Sequence, residues 1–338
     1  MIPWLSGDDQ MAEDAFMKAA VIDRYGTPDV LELKDVPTPT PKINEVLVRV
    51  HAASINDWDY GLLMGTPLIN RMMYGLFTPK VRILGCDIAG RVEALGEGVE
   101  AFQPGDEVYG DLCASGFGAF AEYVCVPAAS LARKPAGMTF EQAAAIPQAG
   151  MLAWQGLIDV GRIQRGQKLL LNGAGGGVGT IAFQIAKLHD AEITVVDKPG
   201  KLDMLRALGA DHVIDYLKED FTAGDHRYDL VLDVKTNRSP LAYLRALNPG
   251  GSYVTVGGSM PRVLQTFVLG PMASRIYGKH LRVVALKSNK DLAQMNELFA
   301  SGTLLPVIEG PYRLADLAEA FRLFGAGDHK GKIVVSLA

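Results

Sequence analysis

A glycine-rich segment near the middle of the chain has residue types that suit phosphate binding. Ala174-x-Gly176-x-x-Gly179 has the spacing of a G-x-G-x-x-G motif with alanine in the first place. It follows the strand-like run 169–171 and opens the helix-like run 180–189. Small residues let a pyrophosphate approach the backbone, and the N–H groups at a helix N-terminus attract it. A glycine-rich structural turn is the alternative. The predicted cofactor contacts here are Ala174, Gly176, Gly177, Val178 and Gly179.

Charged residues after the next strand bear on which dinucleotide binds. Asp197 ends a strand-like run and lies 18 residues beyond Gly179. A carboxylate at this point can accept hydrogen bonds from both ribose hydroxyls, which favours NADH. Lys198 and Lys201 follow, and ammonium groups there can pair with the 2′-phosphate of NADPH. We expect NADPH as the cofactor, with Lys198 as a contact. Because of Asp197, NADH is also a possible cofactor. The alternative interpretation of the two lysines is that they are solvated loop residues.

The hydrophobic pattern changes near residue 138. Upstream, short β-type runs separated by Gly/Pro turns predict a small barrel or sandwich. Downstream, buried-type strands alternate with helical runs, which predicts βαβ units and a parallel sheet. Six strands match the doubly wound dinucleotide fold. They are predicted at 168–171, 192–196, 212–214, 229–232, 252–256 and 281–285.

Composition excludes several protein classes. The chain has 338 residues, of which 49% are hydrophobic and 21% charged, so it has apolar material for about two globular domains. A formal net charge of -5 makes nucleic acid an unexpected partner. No run of 18 apolar residues occurs, so no membrane span or membrane partner is expected. Residues 1–16 lack the basic and apolar regions of a signal peptide, and we expect a cytoplasmic protein with an N-terminal extension.

The chain resembles the medium-chain dehydrogenase/reductase superfamily, in its zinc-free quinone oxidoreductase branch. The resemblance runs from Met17 to Ala338 and includes the glycine loop. Its other matching stretches are 17–19, 50–56, 84–90, 105–110, 118–123, 144–147, 208–216 and 331–335. The resemblance implies an α/β fold, with a GroES-like β-rich catalytic domain interrupted by a Rossmann domain with a six-stranded, doubly wound parallel sheet. The expected divisions are 1–16 as the extension, 17–137 and 287–338 as the GroES-like domain, and 138–286 as the Rossmann domain.

Zinc chemistry is disfavoured by the residue types at the family's metal positions. A catalytic zinc needs about three His, Cys or carboxylate ligands and an open position. Zinc-dependent relatives place a cysteine where this chain has Asn56 or Asp57, and a His-Glu pair where it has Cys86-Asp87. The four-cysteine structural lobe is also missing, and we interpret Cys86 as a small buried residue. The sequence therefore predicts no metal.

The resemblance places the catalytic residues in the loop after the second catalytic-domain strand, which faces the nicotinamide in this family. Asn56 is the expected hydrogen-bond donor and Tyr60 the expected second donor, because hydride addition to a quinone or enone leaves negative charge on oxygen. A turn role for Asn56 and a packing role for Tyr60 are the alternatives. Residues 61–80 hold methionine, leucine and phenylalanine, which suit either an apolar substrate wall or core packing. Relatives also imply cofactor contacts at Tyr216, Gly257, Leu286 and Ser288.

Three functions are compatible with these residues. The leading hypothesis is an NADPH-dependent, zinc-independent reductase of quinones or α,β-unsaturated carbonyls, acting on a small hydrophobic carbonyl or quinone substrate. A nucleotide-binding protein with little catalysis is the second, and a zinc-type alcohol dehydrogenase the third. No G-x-S-x-G or H-E-x-x-H motif occurs, which argues against serine hydrolase or zinc protease chemistry. Family members often pair as homodimers through the Rossmann sheet edge, so a homodimer is an expected state.

Overall fold

The computed structural model describes residues 16–337. Residues 1–15 of the predicted N-terminal extension lie outside the described residues, whereas Phe16 opens the first strand. The chain divides into two compact units. One contains the described residues up to Pro147 together with Gly310–Ala326 and the described residues from Ile333 onward, and the other contains Gln148–Glu309 and Gly327–Lys332. The predicted domain boundaries stay predictions; the structure groups residues 287–309 with the parallel sheet, where Gln155 bonds to Lys287 and Asp291.

The first unit is built on antiparallel strands. Its strands are β1 (Phe16–Ile22), β2 (Leu31–Pro37), β3 (Glu45–Ser54), β4 (Asp87–Leu95), β5 (Glu107–Asp111), β6 (Tyr123–Pro127) and β7 (Ala132–Arg133). Of these, β3, β4 and β5 are buried over most of their length. The late strands β14 (Ile308–Arg313) and β15 (Lys332–Ser336) extend this sheet, in the order β14-β15-β3-β4-β5-β7, with β6 paired to β3. β1 and β2 form a separate hairpin. The tail therefore rejoins the sheet through β15, where Val334 lies opposite Ser54.

The second unit is a six-stranded parallel sheet, as the six apolar runs predict. Its strands are β8 (Lys168–Asn172), β9 (Glu192–Asp197), β10 (His212–Asp215), β11 (Tyr228–Asp233), β12 (Leu247–Thr255) and β13 (His280–Val283). The order β10-β9-β8-β11-β12-β13 is that of a doubly wound sheet. The predicted α/β fold, with a β-rich unit and a doubly wound six-stranded parallel sheet, is confirmed.

Ten α-helices lie within residues 16–337. They are α1 (Asp57–Met64), α2 (Leu68–Tyr74), α3 (Phe140–Ala144), α4 (Pro147–Trp154), α5 (Gly177–Lys187), α6 (Pro199–Ala207), α7 (Pro240–Ala246), α8 (Met260–Tyr277), α9 (Leu292–Ala300) and α10 (Leu317–Ala326). A π-helical turn follows α4 at Gln155–Val160, and 3₁₀ turns lie at Pro28–Val30, Ala128–Ser130 and Leu314–Asp316. α5 begins at Gly177, five residues after β8 ends, and buries Ile181, Phe183 and Ile185.

Helix α8 and strand β13 bear on the expected homodimer. β13 is an edge strand of the parallel sheet, and edge strands present unpaired backbone groups. α8 exposes apolar side chains about one helical turn apart, namely Leu264, Phe267, Val268, Met272 and Ile276. The homodimer stays a prediction.

Within residues 16–337, no helix is both long and apolar enough to cross a bilayer. The predicted cytoplasmic location stays a prediction.

Candidate functional site

The glycine loop joins β8 to α5 as predicted. Gly173 adopts a positive φ of 85°, and Gly176 is the N-cap of the helix. A Cβ on Gly176 would meet no atom closer than 3.8 Å, so this side of the loop is open. The first N–H groups of α5 have no acceptor within the helix, which is the arrangement that binds a pyrophosphate. The residues of this structure therefore fit a dinucleotide.

The predicted cofactor contacts gather at one edge of the parallel sheet. The glycine loop, Asp197, Tyr216 and Gly257 follow the carboxyl ends of β8, β9, β10 and β12, which is where such sheets bind ligands. Tyr216 is half-buried against the apolar cluster beneath the sheet. Leu286 and Ser288 lie in the loop after β13. Gln155 fixes that loop, since its amide donates to Lys287 O at 2.9 Å and accepts from Lys287 N at 3.0 Å.

Asp197 is bonded within the protein. One carboxylate oxygen accepts the Gly175 N–H at 2.7 Å, and the other accepts the Lys198 N–H at 2.8 Å. The residue is 5% exposed. These bonds hold the glycine loop against the end of β9. The geometry favours a role for Asp197 in holding the glycine loop. It disfavours the ribose-binding role that would make NADH the cofactor.

Two lysines follow Asp197 with different surroundings. Lys198 Nζ lies 2.9 Å from Asp328 Oδ1, and this pairing holds the pKa of Lys198 above its usual range. Lys201 is 2% exposed, and its Nζ lies 3.9 Å from Asp197 Oδ1. Burial lowers the pKa of Lys201. Lys198, which is about one-third exposed, is therefore the cation better placed to meet a phosphate from solvent.

A segment near the C-terminus completes the glycine loop, and sequence reasoning missed it. Gly331 N–H donates to Gly175 O at 2.9 Å, and Gly331 forms a parallel bridge with Gly176. The aliphatic part of Lys332 packs so closely on Gly177 that a Cβ there would lie 2.5 Å from Lys332 Cδ. The same segment supplies Asp328. The family resemblance includes 331–335 without assigning it a role in the site, and no local signal pairs Asp328 with Lys198, because 130 positions separate them.

Asn56 lies in a buried polar group of the first unit. Its Nδ2 donates to Asp87 Oδ2 at 3.0 Å, and Ser54 Oγ donates to the same oxygen at 3.1 Å. Its backbone N–H donates to Asp59 Oδ2 at 2.9 Å, as an N-cap of α1. Asn56 is 6% exposed. The structure thus shows a turn role for Asn56 and orients its amide through Asp87; its catalytic role stays a prediction.

Tyr60 packs among aromatic rings. Its ring centroid lies 6.5 Å from that of Phe321 and 5.7 Å from that of Phe324. The Tyr60 hydroxyl is so close to Gly325 that a Cβ there would lie 2.4 Å from it. These contacts favour the packing role, and the donor role stays a prediction. Leu68, Met72, Met73, Leu76 and Phe77, from the following segment, are exposed.

A thiol–carboxylate group lies beside this loop, and sequence reasoning treated its members separately. Cys86, Asp111 and Cys113 place donor atoms within 4.8 Å of one another, which is the metal-capable group within residues 16–337. Two thiolates and a carboxylate suit zinc. The group shares only Cys86 with the family's metal positions, and the Asn56 and Asp87 side chains at the other positions are bonded to each other. The predicted absence of metal stays a prediction.

The third cysteine, Cys125 on β6, should react slowly with alkylating agents. Burial raises its pKa to about 11, with a further raising effect from Glu45 that Lys42 opposes. Only the thiolate is nucleophilic, so we expect its alkylation rate by iodoacetamide to rise about tenfold per pH unit between about pH 7 and pH 9. Peptide mass spectrometry measures this rate. A rate that levels off below about pH 8 would contradict the raised pKa.

Comparison with known proteins agrees with this geometry. Residues 42–136 match the family described as the alcohol dehydrogenase GroES-like domain, and residues 208–335 match the family described as zinc-binding dehydrogenase. The 2-methylene-furan-3-one reductase of Solanum lycopersicum is 31% identical over 330 residues, which cover 94% of this chain and 79% of that protein. The chain belongs to the medium-chain dehydrogenase/reductase superfamily.

Other superfamily members place it nearer to the quinone oxidoreductases. The mitochondrial NAD(P)H oxidoreductase RTN4IP1 of Bos taurus is 32% identical over 355 residues, covering 95% of this chain and 89% of that one. The structure of the quinone oxidoreductase from Coxiella burnetii superposes with a TM-score of 0.84 at 29% identity, covering 96% of this chain and 100% of that one. The resemblance to the quinone oxidoreductase-like members of the superfamily is confirmed, and the chain is an oxidoreductase of this group. Its placement in a zinc-free branch stays a prediction.

Proposed function

We propose that the chain reduces a quinone or an α,β-unsaturated carbonyl compound with NADPH, without a metal. The observation that carries the proposal is the glycine loop at the sheet edge, open at Gly176, in a chain similar to a 2-methylene-furan-3-one reductase and a quinone oxidoreductase. NADPH, when bound, would supply the hydride. The N–H groups at the start of α5 would hold its pyrophosphate, and Lys198 would pair with its 2′-phosphate.

The buried polar group around Asn56, in the first unit, would stabilise negative charge on the carbonyl oxygen of the substrate. Asp87 fixes the Asn56 amide, and Asp59 fixes the backbone of the same residue. A rigid polar group stabilises developing charge better than a mobile one, because it needs no reorganisation during the reaction. The exposed apolar side chains of residues 68–77 suit a flat hydrophobic substrate. These features support a neutral carbonyl or quinone substrate over a charged one.

The proposal is tested by following NADPH oxidation with a panel of quinones and enones. We expect turnover with at least one of these classes and none with saturated alcohols plus NADP. Tight NADPH binding without turnover on any compound would favour the nucleotide-binding alternative. Zinc found at one equivalent per chain by elemental analysis, with activity lost on its removal, would favour the alcohol dehydrogenase alternative.

Asn56→Ala should lower kcat about 100-fold with the Kd of NADPH retained, since one oriented hydrogen-bond donor of this kind contributes on the order of 100- to 1,000-fold. Steady-state kinetics and a fluorescence titration of NADPH measure both. Asp57→Ala is the matched control, because Asp57 is the exposed neighbour in the first turn of α1. An unchanged kcat for Asn56→Ala would remove this residue from the mechanism.

A further inference from the structure

Cys86 and Cys113 are brought together by the pairing of two strands. Cys86 directly precedes β4, and Cys113 lies two residues beyond the end of β5. These strands are antiparallel, with Asp87 opposite Asp111. Leu112 N–H donates to Cys86 O at 2.7 Å and continues the ladder past the ends of the strands. The register of the sheet therefore fixes both cysteine backbones.

The two sulfurs are closer than unbonded atoms normally sit. Cys113 Sγ lies 2.7 Å from Cys86 Sγ. Sulfur atoms in van der Waals contact would be about 3.6 Å apart. Two thiolates on one tetrahedral zinc would be about 3.8 Å apart, given Zn–S bonds of about 2.3 Å, whereas a disulfide bond is about 2.05 Å long. The spacing is thus nearer to a disulfide than to a metal site.

We propose that Cys86 and Cys113 form a redox pair that closes to an intrachain disulfide when a peroxide oxidises it. The half-buried Cys113 is more accessible than the fully buried Cys86, so it is the thiol that peroxide reaches first. The Cys86 hydrogen bond lowers the pKa of Cys113, but burial and the nearby carboxylates outweigh it and raise the pKa to about 12, so little thiolate is present and this first step is slow. Its sulfur takes one peroxide oxygen to give a sulfenic acid, and one water leaves. The Cys86 sulfur then attacks that sulfenic sulfur, the S–S bond forms, and the second water leaves. Overall, two thiols and one hydrogen peroxide give one disulfide and two waters.

Closure of the disulfide changes the surroundings of Asp59. Cys86 Sγ donates to Asp59 Oδ1 at 3.4 Å, and Gly85 N–H donates to the same oxygen at 2.9 Å. Asp59 is fully buried and holds the backbone of Asn56. A disulfide has no proton to donate, so the carboxylate loses one hydrogen bond in a place where replacement by water is costly. We expect slower turnover in the oxidised form; this consequence rests on the proposed function.

The experiment counts thiols in the full chain after peroxide treatment in mildly alkaline buffer. Denaturation, reaction with Ellman's reagent and intact mass are the readouts. We expect free thiols to fall from three to one, with a mass loss of two hydrogens, and both changes to reverse with dithiothreitol. Cys125→Ser is the matched control and should fall from two thiols to none. Cys113→Ser should retain both remaining thiols without a mass loss.

Other outcomes would overturn the pair. These are three free thiols after oxidation, a gain of oxygen on a single cysteine without disulfide formation, or a metal that elutes with the chain and protects both thiols. Turnover is expected to fall about fivefold on oxidation and to recover on reduction. A disulfide that leaves turnover unchanged would overturn the coupling through Asp59. The thiol count and the mass are measured without a substrate. They therefore test whether Cys86 and Cys113 form a disulfide even if the proposed activity is absent.

Discussion

Replacing Gly179 by alanine should raise the Kd of NADPH by about 30-fold or more. A Cβ at this position would lie 2.4 Å from Gly173 O and 2.5 Å from Ala174 Cα. Both are backbone atoms of the glycine loop, so the clash can be relieved only by moving the loop or the first turn of α5. Overpacking of this kind costs about 1–3 kcal/mol, and about 2 kcal/mol corresponds to a factor of about 30 in binding. An NADPH titration by fluorescence or calorimetry measures the change.

Gly200→Ala is the control for that variant. Gly200 lies in the first turn of α6, where a Cβ would meet no atom within 4 Å. Alanine is also the better helix former, so this variant should match or slightly exceed the wild type in its free energy of unfolding. Urea denaturation of both variants separates a loss of binding from a loss of folding. Equal NADPH affinities for the two variants would show that the close approach at Gly179 does not shape the site.

The parallel sheet and the glycine loop could be predicted because their signals are local. Five of the six strands of this sheet begin and end within one residue or two of an apolar run, and the small residues of the loop stand at fixed spacing between β8 and α5. The exception is β12, which begins at Leu247, ahead of the run at 252–256, because Leu247 pairs with Tyr228 across a shift in register. Packing between strands decides such boundaries.

Helix α8 could not be predicted because its pattern misleads. It contains Pro271 and buries only Thr266, Gly270 and Ala273, which are small or polar residues. Its large apolar residues are exposed, including Phe267 at 61% and Val268 at 69%. Sequence reasoning expects large apolar residues on the buried face, so this pattern points to the wrong face of the helix.

The sequence predicts which residue types stand at the site, but it does not predict their hydrogen-bond partners. Asp197 stands where a ribose-binding carboxylate would stand, yet its oxygens accept two backbone N–H groups. The sequence predicts that Asn56 donates a hydrogen bond to the substrate, whereas in the structure its Nδ2 donates to Asp87. In both cases the tertiary structure supplies a hydrogen-bond partner within the protein. That partner determines which atoms of the side chain are left to bind a ligand. The meeting of Cys86 with Cys113 likewise depends on the register of β4 and β5.

Lys198→Ala should raise the KM for NADPH about tenfold and leave the KM for NADH within about twofold. A charge-assisted hydrogen bond to the 2′-phosphate contributes about 1.5–3 kcal/mol, and partial exposure together with the existing Asp328 partner reduces the net gain to the lower end. Steady-state kinetics with both cofactors measure the ratio. Lys168→Ala is the matched control, because Lys168 pairs with Glu192 at the opposite, amino-terminal edge of the same sheet.

Asp328→Asn distinguishes a phosphate-reading lysine from a structural one. In the structure Asp328 pairs with Lys198, and a 2′-phosphate that binds this lysine would compete with that carboxylate. Removing its charge should free Lys198 and lower the KM for NADPH about threefold, whereas a lysine needed only for the ion pair would give the same defect in both variants. Asp197 retains its backbone hydrogen bonds in either case, so the NADH values stay fixed as the reference. Equal changes with NADPH and NADH in Lys198→Ala would show that this lysine does not select the cofactor, and selection would then have to lie elsewhere along the sheet edge.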